Sequence, residues 1–595
     1  MGEKGGLLRN RIARHVFHYC ASIGISNRER VERLTEQVIQ RLEQTHPAFP
    51  GMESAIPESR LSAQAIQETA KQVLAEGSHM EVAAKTTKPN TEIGFQAPEK
   101  IKKTRVSAKA AEFSANALTV LERRYLRKDA QGKVIETPQD MFRRVAQNIA
   151  SAELNYDTQA DVEAREEEFY QLMASLDFLP NSPTLMNAGR ELQQLSACFV
   201  LPIEDSMESI FDAIKYTALI HKSGGGTGFS FSRLRPEGDT VGSTGGVASG
   251  PVSFMRAFDT ATDVIKQGGT RRGANMAILN VNHPDIEKFI TAKEKGDILT
   301  NFNLSVAVTE DFMKAVEAGA DYDLVNPRTG EVSRRINAKK LFEDIVDMAW
   351  RTGDPGIVFI DRMDRDNPTP HLGHIESTNP CGEQPLLAFE SCNLGSINLA
   401  HMVKDDAHDI DWQNNIDWPK LEKTIRTAVR FLDDVIDMNV FPLPDIEKAT
   451  KLTRKIGLGV MGFAHMLIKL GIPYDSEDEK ALEVVEEIMR VIHLRATETS
   501  VELAEERRLS DGGVFPAFAG SVYDRPGEPR VRNATRTTIA PTGTLSIIAG
   551  CSSGIEPLFA LSYVRNILDN DRLIEVDPLF KDAALKRGFY SEELI

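Results

Sequence analysis

Cysteine is scarce in this chain, with five among 595 residues. So few exclude a disulfide scaffold and point to a reducing cytoplasm, where a pair of thiols is catalytic more often than structural. No two cysteines are spaced C-x-x-C. The twelve histidines contain no H-x-x-x-H or H-E-x-x-H, so no zinc or other metal ligand set is expected. No apolar run reaches the roughly 18 residues of a membrane span, and Met1 to Ala13 is basic and polar, without the apolar core of a secretory leader. Positive charge is also in deficit. The 70 Lys and Arg face 87 Asp and Glu, a net charge of -17, which argues against a nucleic-acid binder. An anionic substrate must then be held locally by backbone N–H groups, hydroxyls and a few arginines, because the overall field repels it. The 41% hydrophobic and 26% charged content is that of a globular protein.

What is present is a concentrated segment. Asn379-Pro-Cys-Gly-Glu-Gln-Pro-Leu-Leu-Ala-Phe-Glu-Ser-Cys392 sets two of the five cysteines eleven positions apart, with Asn379 and Glu383 flanking the first. If extended, alternation would point Asn379, Cys381 and Glu383 the same way. Pro380 and Gly382 between them argue for a loop.

The chain is long for one core, so one large domain with a smaller attachment is expected. Residues 1 to 75 read as short helices, with Val31, Leu34, Val38 and Leu42, then Ile66, Ala70 and Leu74, at helical spacing. Residues 76 to 110 are polar and read as a linker, and 111 to 178 are again helical. The acidic run Glu166-Glu-Glu168 there is most simply a solvated face. From 179 to 595, short apolar runs (Cys198–Leu201, Met276–Leu279, Leu304–Val308, Gly356–Ile360) alternate with amphipathic helices such as Leu421–Met438 and Ala481–Leu503. That pattern predicts an α/β domain with mostly parallel strands.

Glycines cluster at Gly224–Gly228, Gly242–Gly250 and Gly268–Gly273, and each cluster lets backbone approach a ligand closely. None is a Walker A loop. In Gly268-Gly-Thr-Arg-Arg-Gly273 two arginines suit nucleotide phosphates, although a plain surface turn has the same composition. Gly457-Leu-Gly-Val-Met-Gly462 matches G-x-G-x-x-G, but the charged, helix-like 447–455 before it is no Rossmann strand, and close helix packing is the expected reason for its glycines. Pro541-Thr-Gly-Thr-Leu-Ser546 offers hydroxyls and open N–H groups that can bind phosphate where they begin a helix. Cys20 and Cys551 read as packing residues, and Cys198 as a buried strand cysteine.

Taken together, Asn181-Ser-Pro-Thr-Leu-Met-Asn-Ala-Gly189, Ser196-Ala-Cys198, Gly268–Ala274, Asn379–Glu383, Ser391–Leu399 and Pro541–Leu545 resemble the large catalytic chain of ribonucleotide reductases. The likeness is closest to the adenosylcobalamin-dependent class II enzymes and runs from about Asn181 to Tyr563. It implies a ten-stranded α/β barrel of the kind shared with glycyl-radical enzymes, with a finger loop inside and a helical region before it. It implies Cys381 as the thiyl radical that abstracts the ribose 3'-hydrogen, Glu383 as general base and Asn379 as the residue orienting the hydroxyls. Cys198 and Cys392 become the reducing pair, whose Cα atoms must then lie within about 7 Å. Ser182, Ala197, Gly226, Pro541, Thr542, Gly543, Thr544 and Leu545 would line the substrate. Asp205, Ser206 and Arg235 would bind a dNTP effector, and Gly268, Gly269, Thr270, Arg271, Arg272 and Gly273 would relay its identity.

The implied partners are a ribonucleotide, dNTP and ATP effectors, a thioredoxin-like or small dithiol reductant, and a second copy in a homodimer. The implied cofactor is adenosylcobalamin. The family's last barrel strands and C-terminal cysteine pair are not in this sequence, so a fragment completed by a further C-terminal segment or companion chain is expected. Residues 26 to 84 resemble the family's ATP-binding cone only faintly. Two rival readings share the motifs: a class I large subunit that takes its radical from a separate metal-containing subunit, and a non-catalytic nucleotide-binding fragment.

Overall fold

The computed structural model describes residues 16, 28–45, 69–73, 113–240, 246–265, 273–405, 407, 409–475, 479–558, 560–567 and 571–591. Backbone proximity divides the chain into two units, Met1–Ser107 with Gly189–Glu191, and Ala108–Ala188 with Leu192–Ile595. In the first, helix Arg28–Thr45 buries Leu34, Val38 and Ile39, and residues 69–73 are helical, where the spacing predicts. The expected linker, 76 to 110, lies outside the described residues.

The second unit begins with helices. Pro138–Ala150 starts at a capping box, Thr137 with Asp140, and has Pro at its first position. Its buried stripe Met141, Phe142, Val145, Ala146 and Ile149 packs on helix Val162–Ala174. The Glu166–Glu168 run is a partly solvated face that is also paired: Glu166 and Glu167 meet Arg143 of the packed helix Pro138–Ala150, and Glu168 meets Arg165 one turn back on its own helix.

Fourteen strands follow among the described residues: β1 Phe178–Pro180, β2 Cys198–Val200, β3 Gly226–Ser230, β4 Asn275–Asn280, β5 Phe302–Val308, β6 Asp321–Val325, β7 Val332–Asn337, β8 Gly356–Phe359, β9 Ser377–Thr378, β10 Pro385–Leu386, β11 Ser391–Asn398, β12 Ile456–Met461, β13 Ser562–Ile567 and β14 Asp571–Val576. Eight make one sheet, in the order β1-β11-β2-β3-β4-β5-β8 with β12 beside β11. The pairs β2–β3, β3–β4, β4–β5, β5–β8 and β11–β12 are parallel, while β1 and β2 meet β11 antiparallel. Leu458 of β12 bridges Thr537 in parallel. The α/β class and the mostly parallel strands are as expected. The main sheet holds eight strands among the described residues, where the resemblance implies a barrel of ten.

Strand periodicity sorts the sheet into two faces. Phe199 and Leu201, Ala277 and Leu279, and Leu304, Val306 and Val308 enter one large core with helices Met207–Lys222, Pro251–Val264 and Ala338–Thr352. The alternate residues Cys198 and Val200 join Cys392, Leu394 and Leu386 in a separate small cluster. A second large core surrounds helix Trp418–Met438, which packs on β1, β11 and β12 and on helix Glu479–Glu506. All eight residues of β11 are buried, as a strand covered on both faces requires.

Candidate functional site

Cys198 of β2 and Cys392 of β11 are direct partners in the antiparallel register. Directly opposed Cα atoms in such a ladder lie about 4.5 to 5.5 Å apart, inside the limit for a disulfide. The pairing therefore brings together two thiols that are 194 positions apart in sequence (392 less 198). Both are buried, and neither they nor Cys381 and Cys551 form a disulfide.

The ribbon β9–β10 carries the turn 379–384 over this pair. Thr378 faces Pro385 and Ser377 faces Leu386. Asn379 O accepts from Gly382 N (3.0 Å), Gln384 N donates to Asn379 Oδ1 (3.0 Å), and Asn303 Nδ2 donates to Pro380 O (2.7 Å). Gly382 has φ +85°, a left-handed value that disfavours any side chain. The segment is thus a tight turn, as Pro380 and Gly382 suggest, and the extended alternation does not hold. Asn379 points inward, its Nδ2 donating to Cys198 Sγ at 3.1 Å. Cys381 at the tip is exposed and Glu383 is half-buried.

The glycines of β3 explain how the turn comes so close. A Cβ on Gly228 would stand 1.7 Å from Thr378 O, and one on Gly226 would stand 2.8 Å from Pro380 Cγ. These glycines admit the protein's own turn, a correction to their reading as a bare ligand cradle. Gly226 borders the turn at Pro380. Gly457 and Gly459 similarly admit Leu394, Gln384 and Thr538. They lie within β12 itself, so sheet and turn packing, not helix packing, accounts for them. Only Gly462, with φ +76°, precedes a helix, Phe463–Leu470.

Electrostatics in the site follow from dryness. Burial raises the Glu383 carboxyl above its ordinary value, opposed by the hydrogen bond from Asn379. Glu383 Oε2 is buried without a hydrogen-bond partner, which leaves it able to accept one more hydrogen bond. Burial pushes the Cys392 thiol well above the thiol range, opposed by the Lys455 ammonium and reinforced by Glu390 and Glu383. Lys455 and Glu390 form a buried pair that sequence reasoning missed; their separation by 65 positions leaves no local signal.

Around this centre Ala197 and Ala540 pack on the cysteine cluster. Ser182 Oγ hydrogen-bonds Tyr125 OH at 2.8 Å, and the residue before it, Asn181, donates its N–H to Leu394 O on β11. Pro541–Leu545 leads into helix Leu545–Ala549. Thr542 Oγ1 accepts from Gly554 N at 2.7 Å, Thr544 is half-buried and Gly543 is open. Helix Ala115–Val120 packs on Leu545–Ala549, and Tyr125 ends the π-helical turn that follows it.

The expected effector residues form a second group. Arg235 Nε donates to Asp205 Oδ2 at 2.8 Å, and Ser206 caps helix Met207–Lys222 by accepting from Ser209 N. Gly273 abuts the His221 ring. Gly268, Gly269, Thr270, Arg271 and Arg272 lie outside the described residues. One acidic cluster among the described residues has ligand-like spacing, Asp433, Asp434 and Asp437. Arg454, Arg507 and Arg532 already neutralise it, so it does not suit a cation.

Comparisons with known proteins identify the family. A family model described as ribonucleotide reductase, barrel domain, matches residues 196–530 and 527–595. One described as ribonucleotide reductase, all-alpha domain, matches residues 111–193. The chain belongs to the ribonucleotide reductase family. It is 53% identical over 539 residues to the vitamin B12-dependent ribonucleoside-diphosphate reductase of Thermoplasma acidophilum, covering 81% of this chain and 68% of the relative. It is 51% identical over 485 residues to the Mycobacterium tuberculosis protein of the same name, covering 81% and 67%. Against the vitamin B12-dependent ribonucleotide reductase of Streptomyces clavuligerus the identity is 32% over 553 residues, covering 81% of this chain and 56% of the relative.

Proposed function

We propose that this chain reduces ribonucleoside diphosphates to 2'-deoxyribonucleotides with adenosylcobalamin as radical source. The observation that carries the reading is the in-register Cys198–Cys392 pair beneath a turn whose Asn379 amide contacts Cys198 Sγ. The names of the most similar relatives support the cobalamin-dependent class over a class I large subunit.

At the tip of the turn Cys381 is exposed and a Cβ on Gly382 would meet nothing within 4 Å, so the cofactor would approach there. Cys381 and Gly382 would border it. When bound, adenosylcobalamin supplies the carbon radical that oxidises Cys381 to a thiyl. Cys381 takes the hydrogen from C3', and Glu383 accepts the 3'-hydroxyl proton on its unpartnered oxygen. Asn379 orients the hydroxyls, and Cys198 supplies the proton with which the 2'-oxygen leaves as water. Cys198 and Cys392 together deliver two electrons, the second proton of the pair goes to C2', and they end as a disulfide that an external dithiol, thioredoxin-like or small, reopens. Glu383 returns its proton to the 3'-oxygen, and Cys381 returns its hydrogen to C3'. Ser182, Ala197, Gly226 and the Pro541–Leu545 loop bind the nucleotide, with Thr542 and Thr544 on its diphosphate.

Asp205, Ser206 and Arg235 bind a dNTP effector, whose identity passes through Gly268–Gly273. The working form is a cytoplasmic homodimer.

The test is deoxynucleotide formation from CDP or ADP with adenosylcobalamin, a small dithiol and a dNTP, with no second subunit. Turnover that disappears in Cys381→Ser is the expected result. Turnover that appears only when a metal-containing radical subunit is added overturns the cobalamin assignment.

A further inference from the structure

The face that carries Cys198 and Cys392 also holds an ion pair with no part in the chemistry above. Lys455 Nζ lies 2.5 Å from Glu390 Oε2, and each side chain is 1% exposed. The carboxylate is fixed by two more donors, Leu387 N at 2.8 Å and Thr453 Oγ1 at 2.9 Å. Glu390 stands two residues before Cys392, immediately ahead of β11, and its backbone carbonyl accepts from Val200 N of β2 at 3.1 Å. The Cys392 thiol lies within donor reach of the carbonyl oxygens of Asn393 (3.3 Å) and Lys455 itself (3.7 Å). A dry ion pair is often no better for stability than apolar filling of the same volume, so its placement beside a redox thiol asks for a chemical reason.

We propose that Lys455, held in place by Glu390, is a positioning residue for the redox pair: it stabilises negative charge on Cys392 and makes that sulfur the one that departs when an external dithiol reopens the disulfide. This rests on the reductase reading. Cys392 is 0% exposed and Cys198 3%, so the incoming thiolate attacks Cys198 Sγ, the less enclosed of the two. The Cys198–Cys392 bond breaks, its electron pair goes to Cys392, and the external sulfur is left bonded to Cys198. Cys392 then takes a proton. The second thiol of the reductant attacks the mixed disulfide, releases Cys198 and closes the reductant's own disulfide. Two electrons pass from the dithiol to the protein, and the two protons that the dithiol gives up are returned through solvent to the two cysteines.

The charged groups that face Cys392 are Lys455, Glu390 and Glu383. Burial opposes a thiolate at Cys392 most, the two carboxylates add to that, and the Lys455 ammonium is the one facing charge that favours it. Leaving-group acidity sets the rate of disulfide cleavage, so neutralising the two members of the pair has opposite consequences.

The experiment oxidises the full chain, adds dithiothreitol, and follows the thiols of Cys198 and Cys392 by trapping and peptide mass, so that no turnover is needed. Lys455→Met is expected to slow reopening about tenfold or more, Lys455→Arg to keep most of the rate, and Glu390→Gln to quicken it. The double variant Lys455→Met with Glu390→Gln, apolar and neutral, removes the unpaired buried charge that could unfold the single variants, and is expected to be as slow as Lys455→Met. Equal rates in all variants, or slowing of the same size in Lys455→Met and Glu390→Gln, overturns the inference alone. If no Cys198–Cys392 disulfide forms on oxidation, the reductase reading of the pair falls, and the inference with it.

Discussion

Asp433 on helix Trp418–Met438 and Glu383 in the turn 379–384 are both carboxylates brought into the interior, and their surroundings treat them in opposite ways. On the helix, Asp433 accepts from Arg454 Nε (2.9 Å), Arg532 Nε (2.6 Å), Asn533 Nδ2 (2.8 Å) and Arg507. Asp437 takes Arg454 and the Tyr156 hydroxyl, and Asp434 takes Arg507. Burial alone would raise the Asp433 carboxyl, but the guanidinium groups of Arg454, Arg532 and Arg507 outweigh it and hold it well below the ordinary range. In the turn, by contrast, Glu383 is met by the Asn379 amide instead of a cation, keeps one oxygen without a partner, and has its carboxyl raised by burial. The saturated group ties together the helix, the residues before β12 and the segment 507–533. The unsaturated one leaves hydrogen-bonding capacity for a visitor, and the difference separates a structural cluster from a chemical one.

Removing the anchor of the saturated cluster breaks the comparison most severely. Asp433→Ala leaves three buried guanidinium groups short of one carboxylate, and loss of one partner of a buried pair costs about 3–5 kcal/mol. Urea unfolding is expected to show that loss. A value under about 1 kcal/mol would mean that the cluster is not what holds the helix. Next is Gly228→Ala. Its Cβ would overlap Thr378 O, so the turn must lift, at about 1–3 kcal/mol for overpacking, with deoxynucleotide formation lost more completely than stability. Retained turnover would show that the close approach of turn to strand is dispensable. Smaller still is Arg143→Ala, in a pair with Glu166 and Glu167 at 33% side-chain exposure. Solvent screening limits such pairs to about 0–1 kcal/mol, so its unfolding midpoint should stay close to the parent's.

Much of the site could be read from sequence because its parts lie in short, chemically odd strings. Asn379, Cys381 and Glu383 share five residues, and Cys198 and Cys392 stand out in a chain so poor in cysteine. The apolar runs at 198–201, 276–279, 304–308 and 356–360 became β2, β4, β5 and β8, and in β2, β4 and β5 burial on both faces of the sheet accounts for the continuous apolar signature. What stayed hidden depends on long-range packing. The task of Gly226 and Gly228 is set by a turn about 150 residues later. Lys455 with Glu390, Tyr125 with Ser182, and Asp433 with three arginines are polar residues whose sequence neighbourhoods look like ordinary surface. The G-x-G-x-x-G of β12 misleads for the same reason, because glycines needed for close strand approach spell the string that phosphate loops use.

Glu383→Gln should move stability least of the four, and its sign sharpens the comparison. Because burial raises the folded-state carboxyl above its unfolded value, the folded chain holds this proton more tightly than the unfolded chain. The stabilisation that Glu383 provides is fully present below the ordinary glutamate range and is lost as pH rises through the raised folded value. As pH rises the parent must come to carry a buried carboxylate with one unpaired oxygen, whereas the amide of the variant is neutral at every pH. Melting temperatures of parent and variant, measured from about pH 4 to pH 8, are therefore expected to draw apart in favour of the variant as pH rises, while its deoxynucleotide formation is lost. A cluster-forming acid behaves the other way: Asp433, held low by its arginines, contributes stability that is lost as pH falls. If the difference between parent and variant stays constant across that range, the carboxylate is not held in a dry site, and the contrast between the two regions fails at the residue on which it most depends.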